Sequence, residues 1–104
     1  MSKPLRGEIW LVDLGLAAKV RPCLVISIPP KENERALYTL VAHTTSVRGT
    51  RFEVTVPTRV LRPGAFDVQN ILTIPRAKLV RKLGTLSESS LHEIEKAVCR
   101  WLGL

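Results

Sequence analysis

The sequence predicts a mainly β domain closed by one C-terminal helix. Three features carry that prediction: short apolar runs bounded by Gly and Pro, one strictly alternating run, and a tail whose apolar residues recur every three or four positions. Gly7 to Leu14 (GEIWLVDL) and Val20 to Ile28 (VRPCLVISI) are rich in Ile, Val and Trp, and both read as buried strands joined through Gly15 to Lys19. Pro29 to Ala36 (PPKENERA) opens with two prolines and is polar, which makes it a loop. A third strand follows in LYTLVAHT, residues 37–44. In RFEVTVP, Phe52, Val54 and Val56 alternate with Arg51, Glu53 and Thr55, the period of a half-buried antiparallel strand. TRVLRPGAFDVQN carries a Pro63-Gly64 turn and is expected to be short and irregular before NILTI, residues 70–74, resumes a strand. A last short strand is expected from Lys78 to Val80.

The tail changes period. Ser87 is placed to cap a helix, Glu88 suits its positive N-terminus, and Leu91, Ile94, Val98, Trp101 and Leu102 form one apolar stripe. Gly103 ends it. At that spacing Trp101 is a core or dimer-contact residue, not a recognition residue. The chain thus reads as one domain over residues 1–104, strand-rich through 86 and helical from about 88 to 102. Few short strands and one covering helix fit a small curled sheet or barrel.

Composition narrows function. The chain has 104 residues, 45% of them apolar and 24% charged, enough for a single core. Sixteen Lys and Arg against nine Asp and Glu give a net charge of +7, which attracts polyanions over a Debye length of about 8 Å. RNA, DNA, an acidic protein and anionic lipid all fit that charge. It is uneven: residues 1–87 hold fourteen basic and six acidic residues, residues 88–104 only two basic and three acidic. No run approaches the roughly 18 apolar residues of a membrane span, and Met1-Ser2-Lys3-Pro4 leads into a strand instead of a signal peptide. A cytoplasmic protein without membrane partners is expected. Cys23 and Cys99 lie in apolar contexts without ligand spacing and are expected to be buried, reduced thiols. His43 and His92 are far apart, so no metal or cofactor is indicated.

Three places could host chemistry. VAHTTSVRGTRFEV (Val41 to Val54) ends an apolar strand in His43-Thr44-Thr45-Ser46, whose hydroxyls can cap the local backbone or meet phosphate. Arg21-Pro22 places a guanidinium at a strand start, either paired with a surface carboxylate or free for an anion. Arg76, Lys78, Arg81 and Lys82 form a basic set that can equally be a solvated sheet edge. No GxSxG elbow, glycine-rich phosphate loop, metal box or helical carboxylate pair is present.

In order along the chain, RGEIWLVDL, VRPCLVIS, VAHTTSVRGTRFEV and QNILTIPRAKLVRKLGTLSESSLHEIEKAV resemble the MazF/PemK family of toxin endoribonucleases over nearly the full length. The resemblance implies an SH3-like barrel of the MazF/CcdB superfamily that dimerises and is held inactive by a cognate acidic antitoxin. It also implies metal-independent cutting of single-stranded RNA, in which the ribose 2'-OH attacks the phosphate and leaves 2',3'-cyclic phosphate and 5'-OH ends. By the motif, Thr44 matches the family's catalytic Thr, and Arg21 is assigned to charge stabilisation and donation to the leaving oxygen, because a guanidinium is too weak a base. Thr45, Ser46, His43, Arg48, Arg51, Gln69, Asn70, Arg76 and Lys78 are carried as RNA contacts. The general base is left open, with His43 the one neighbour of suitable ordinary pKa. Two departures stand out: the loop GLAAKVRP is short and lacks the glutamate of many members, and Gln69-Asn70 replaces a common Asp-Gln pair, with Asp67 two residues earlier. Two other readings keep the barrel: a toxin that grips a protein such as gyrase through its Trp101-bearing end, or a noncatalytic RNA-binding domain.

Overall fold

A computed structural model describes residues 3–15 and 19–104. Its elements are β1 (Glu8–Asp13), β2 (Val20–Val25), β3 (Leu37–Thr44), β4 (Glu53–Val54), β5 (Ala65–Pro75), β6 (Leu79–Thr85) and α1 (Glu88–Leu102), with a 3-10 turn at Arg76–Lys78. The strands form one antiparallel sheet in the order β4-β5-β3-β2-β1-β6. Much of the expected β1–β2 connection, residues 16–18, lies outside the described residues, as do Met1 and Ser2.

Alternation divides the apolar residues between two faces. Ile9, Leu24, Val41, Phe66 and Val68 pack with Ile94 and Ala97 of α1, so the helix covers this face. Trp10, Val12, Cys23, Val25, Leu40 and Ala42 form a second cluster on the other. The helix is capped as its sequence dictates: Ser87 Oγ accepts the Ser90 N–H at 3.2 Å, and Gly103 takes the left-handed conformation at φ 73°. The barrel takes the form of a curled sheet whose edges are β4 and β6, with the chain after β4 bridging them. Val60 of that bridge meets Gly84 of β6 so closely that a Cβ there would sit 3.0 Å from Val60 Cγ1.

Several boundaries differ from expectation. RFEVTVP keeps its inward face, but only Glu53–Val54 is laddered, opposite Asp67 and Phe66. Of the stretch expected to be irregular, residues 58–64 are so, whereas 65–70 form the first half of the eleven-residue β5. Its alternation is hidden by a bulge: Val41 pairs with Ile71, yet the next residue, Ala42, pairs with Asp67. β6 extends to Thr85, because Arg81 and Lys82 are exposed charges of the kind that protect a sheet edge. Cys99 is exposed, not buried, because it falls outside the Ser90, Ile94, Ala97 stripe of α1. Cys23 is buried, and burial pushes its thiol up to about 12, against a smaller opposing effect from Arg21.

Candidate active site

The two residues assigned to chemistry meet at a strand end. Cys23–Ala42 is the last pair of the β2–β3 ladder, and Arg21 and Thr44 lie two residues beyond it on the same face, both lining one cavity. Both side chains continue the face opposite the helix, where the apolar cluster stops. Thr44 Oγ1 accepts the Ser46 N–H at 3.0 Å, which turns the chain and leaves the hydroxyl proton free to be donated outward.

A polar cavity of about 390 Å³ opens there, with Ala42 among its lining residues and Arg21, Thr44, Ser46 and Arg48 around it. Glu53, Thr50, Asp67, Gln69 and Asn70 complete the wall. The β5 bulge explains how Gln69 and Asn70 come to line it. Ladder pairing would have aligned residue 70 with Ala42, and the three surplus residues turn the amides into the cavity while Val68 stays in the core. Asp67 Oδ1 accepts the Gln69 N–H at 3.1 Å, which stiffens the bulge.

Glu53 organises the opposite wall. Its Oε2 accepts the Arg48 N–H at 2.8 Å and its Oε1 the Thr50 N–H at 2.6 Å, and these bonds hold the carboxyl below the usual carboxylate range. Glu53 and Asp67 face each other directly across β4 and β5. Like charges so placed repel, and the two arginines lining the same cavity, Arg21 and Arg48, compensate. Gly64 closes the rim from above. A Cβ there would collide with the Thr44 carbonyl and stand 2.8 Å from His43 Cε1, so only glycine lets the turn lie on the strand end.

The remaining sequence candidates separate. His43 is 6% exposed, packs edge-on to Phe66 at 5.1 Å, and has its pKa lowered by burial, so it is a neutral framework residue. Thr45 is exposed beside the rim but lines a neighbouring cleft. Arg51 lies over the Phe52 ring at 4.6 Å, and Phe52 in turn meets Trp101 edge-on at 5.2 Å. That contact fixes the helix end, so Trp101 is no free tail. Arg76 and Lys78 do not join the site. They follow Pro75, which pairs with Leu37 at the opposite end of β3 from Thr44, ~23 Å away at ~3.3 Å per residue. There Arg76 stacks on Trp10 at 5.1 Å and donates to the Leu79 carbonyl at 3.0 Å. Sequence reasoning missed Glu53, read only as an outward-facing strand residue, along with Ala42 and Gly64. The strict alternation of RFEVTVP was the available signal for Glu53, because it puts the carboxylate on the face away from the core.

A curled sheet sealed by a helix, with donors and carboxylates gathered at one strand end, defines a small, mainly β protein with a polar site at its rim. The particular lineage follows from comparison. Residues 5–102 match the family model of the PemK-like, MazF-like toxin of type II toxin-antitoxin systems, and the chain belongs to that family. It is 33% identical over 110 residues to Endoribonuclease MazF4 of Mycobacterium tuberculosis (strain H37Rv), covering 100% of this chain and 97% of that one. With Endoribonuclease MazF6 of the same strain it shares 31% identity, over 95% of this chain and 96% of the relative. Among solved structures, a mycobacterial endoribonuclease in complex with its cognate antitoxin superposes with a TM-score of 0.83 at 28% identity, covering 97% of this chain and 96% of that one. MazF (Form-I) from Deinococcus radiodurans shares the fold, with a TM-score of 0.83 at 23% identity over 100% of both chains.

Proposed function

We propose that this chain is the toxin of a toxin-antitoxin pair and a metal-independent endoribonuclease acting on single-stranded RNA, including mRNA, in the cytoplasm. The observation that carries the reading is that Arg21 and Thr44, just beyond the last β2–β3 pair, line one cavity together with the small residue Ala42. A phosphate at that mouth meets a guanidinium fork and a hydroxyl whose acceptor side is already occupied.

In the reaction, the ribose 2'-oxygen attacks the adjacent phosphorus and the bond to the 5'-oxygen breaks, giving a 2',3'-cyclic phosphate and a 5'-OH. Negative charge on the non-bridging oxygens rises in the transition state, and Arg21 and Thr44 stabilise that state more than the ground state. Arg21 also donates toward the departing 5'-oxygen. Asp67 takes the 2'-OH proton: it lines the cavity with one oxygen engaged by the Gln69 N–H, whereas both Glu53 oxygens hold the loop. Gln69 and Asn70 read a base edge. A mycobacterial relative solved with its cognate antitoxin supports a cognate antitoxin for this chain, the net charge of +7 suits an acidic one, and the toxin acts as a homodimer.

The test is incubation of the purified protein with a long single-stranded RNA in EDTA, with every new end mapped. Discrete cuts bearing cyclic phosphate are expected. Intact RNA with salt-sensitive binding retained would leave a noncatalytic RNA-binding domain.

A further inference from the structure

A second cleft, of about 630 Å³, lies on the other side of the Arg21, Thr44 and Ser46 rim. Register explains its position. Arg81 of β6 pairs with Leu11 and Leu11 with Pro22, and by alternation Pro22 and His43 share the helix-bearing face with Leu24 and Val41, one residue along the strands from Arg21 and Thr44. The first cavity occupies the opposite face of the same strand ends.

The two spaces differ in charge. The first cavity offsets Arg21 and Arg48 with Glu53 and Asp67, whereas the second is lined by Arg21, Arg62 and Arg81 with no carboxylate. None of these three arginines makes an ion pair among the described residues. Arg62 comes from the bridge after β4 and Arg81 from the edge strand β6, and they converge where the two sheet edges approach. Between them lie Val20 and Val60, each nearly half exposed at 46% and 45%. Guanidiniums offer forks for phosphate and planes on which a base can stack, and the exposed valines beside them add van der Waals surface for a base face.

Resting on the endoribonuclease reading, we propose that the RNA strand crosses the rim and continues into this second cleft, where Arg62 and Arg81 bind the phosphate next to the one cut and its base lies on Val20 and Val60. The rim residues Arg21, Thr44 and Ser46 belong to both spaces, so a strand cut at the rim has one flanking nucleotide on each face of the sheet.

The test uses a 2'-O-methylated single-stranded RNA, which cannot be cut, titrated by fluorescence anisotropy over a salt series. Arg62→Ala and Arg81→Ala are each expected to weaken binding and to reduce the slope of log K against log salt by about 0.7 per lost phosphate contact. Arg35→Ala, in the loop at the far end of β3, serves as the control and is expected to keep the full slope. An unchanged slope in both variants overturns the proposal. So does a change confined to self-association in sedimentation, which would make the cleft a surface covered by a second copy, or a change confined to antitoxin binding. Cleavage of unmodified RNA by the wild type is scored separately. A reduced slope without any cleavage would uphold the subsite and reject the nuclease.

Discussion

Two spaces share one rim, and they are built for different work. On the face away from the helix, carboxylates, amides and arginines surround a small cavity with compensated charge. On the helix-bearing face, the cleft is uniformly basic with apolar side chains between the arginines. The difference follows from β geometry: neighbouring residues of β2 and β3 point to opposite faces, so the strand ends that deliver Arg21 and Thr44 to one side deliver Pro22 and His43 to the other. On the proposed reading, proton transfer and base reading belong to the mixed-charge side, and strand holding to the basic side.

The largest effects should come from the rim. Arg21→Ala is expected to lower kcat/KM by about 10³, and Thr44→Ala by about 10², the scale for losing a preorganised donor to a developing oxyanion. Cleavage kinetics and melting curves check this together, since neither exposed Arg21 nor half-buried Thr44 belongs to a core cluster. Asp67→Asn should lower kcat by about 10² while KM stays within a fewfold, because the isosteric amide keeps the Gln69 contact but accepts no proton. Partial recovery in Asp67→Glu would mark proton transfer. A variant that cuts at the wild-type rate but prefers a different base would instead make Asp67 a reader.

Gly64→Ala comes next, at about 2 kcal/mol of stability, since its Cβ meets the Thr44 carbonyl and the His43 ring. Thermal unfolding reads the loss. If the turn lifts instead of the core yielding, the melting temperature will hold while cleavage falls, because Thr44 will have moved.

The helix, its caps and the first three strands could be read from the chain because they use local signals: Ser87 and Gly103 at the ends of one stripe, and Ile, Val and Trp between breakers. The length of β5 could not, since its bulge interrupts the period of two that marks a strand, and β6 was shortened because edge charges look like a loop. Motif and residue type pointed to Arg21 and Thr44, and the structure places both at one cavity. Which basic residues join them was not legible: Arg48 and Arg76 are alike as letters, and only the register places one in the cavity and the other on Trp10. Glu53 and Asp67 are fourteen residues apart, and they pair across β4 and β5 only after the long irregular connection between those strands, which leaves no spacing rule to find them.

The smallest expected effect tests whether His43 serves the framework or the chemistry. Burial lowers its pKa in the folded protein, whereas in the unfolded chain it titrates near 6.5. Above about pH 7 the residue is neutral in both states and adds no pH dependence. As pH falls through the unfolded value, the unfolded chain takes up a proton that the folded one refuses, so stability falls with pH. His43→Gln should therefore flatten the melting temperature between about pH 7 and 5.5 relative to wild type and leave cleavage within a fewfold. Loss of cleavage with an unchanged melting temperature at pH 7 would move His43 from the packing against Phe66 into the reaction, and would extend proton transfer to the basic side of the rim.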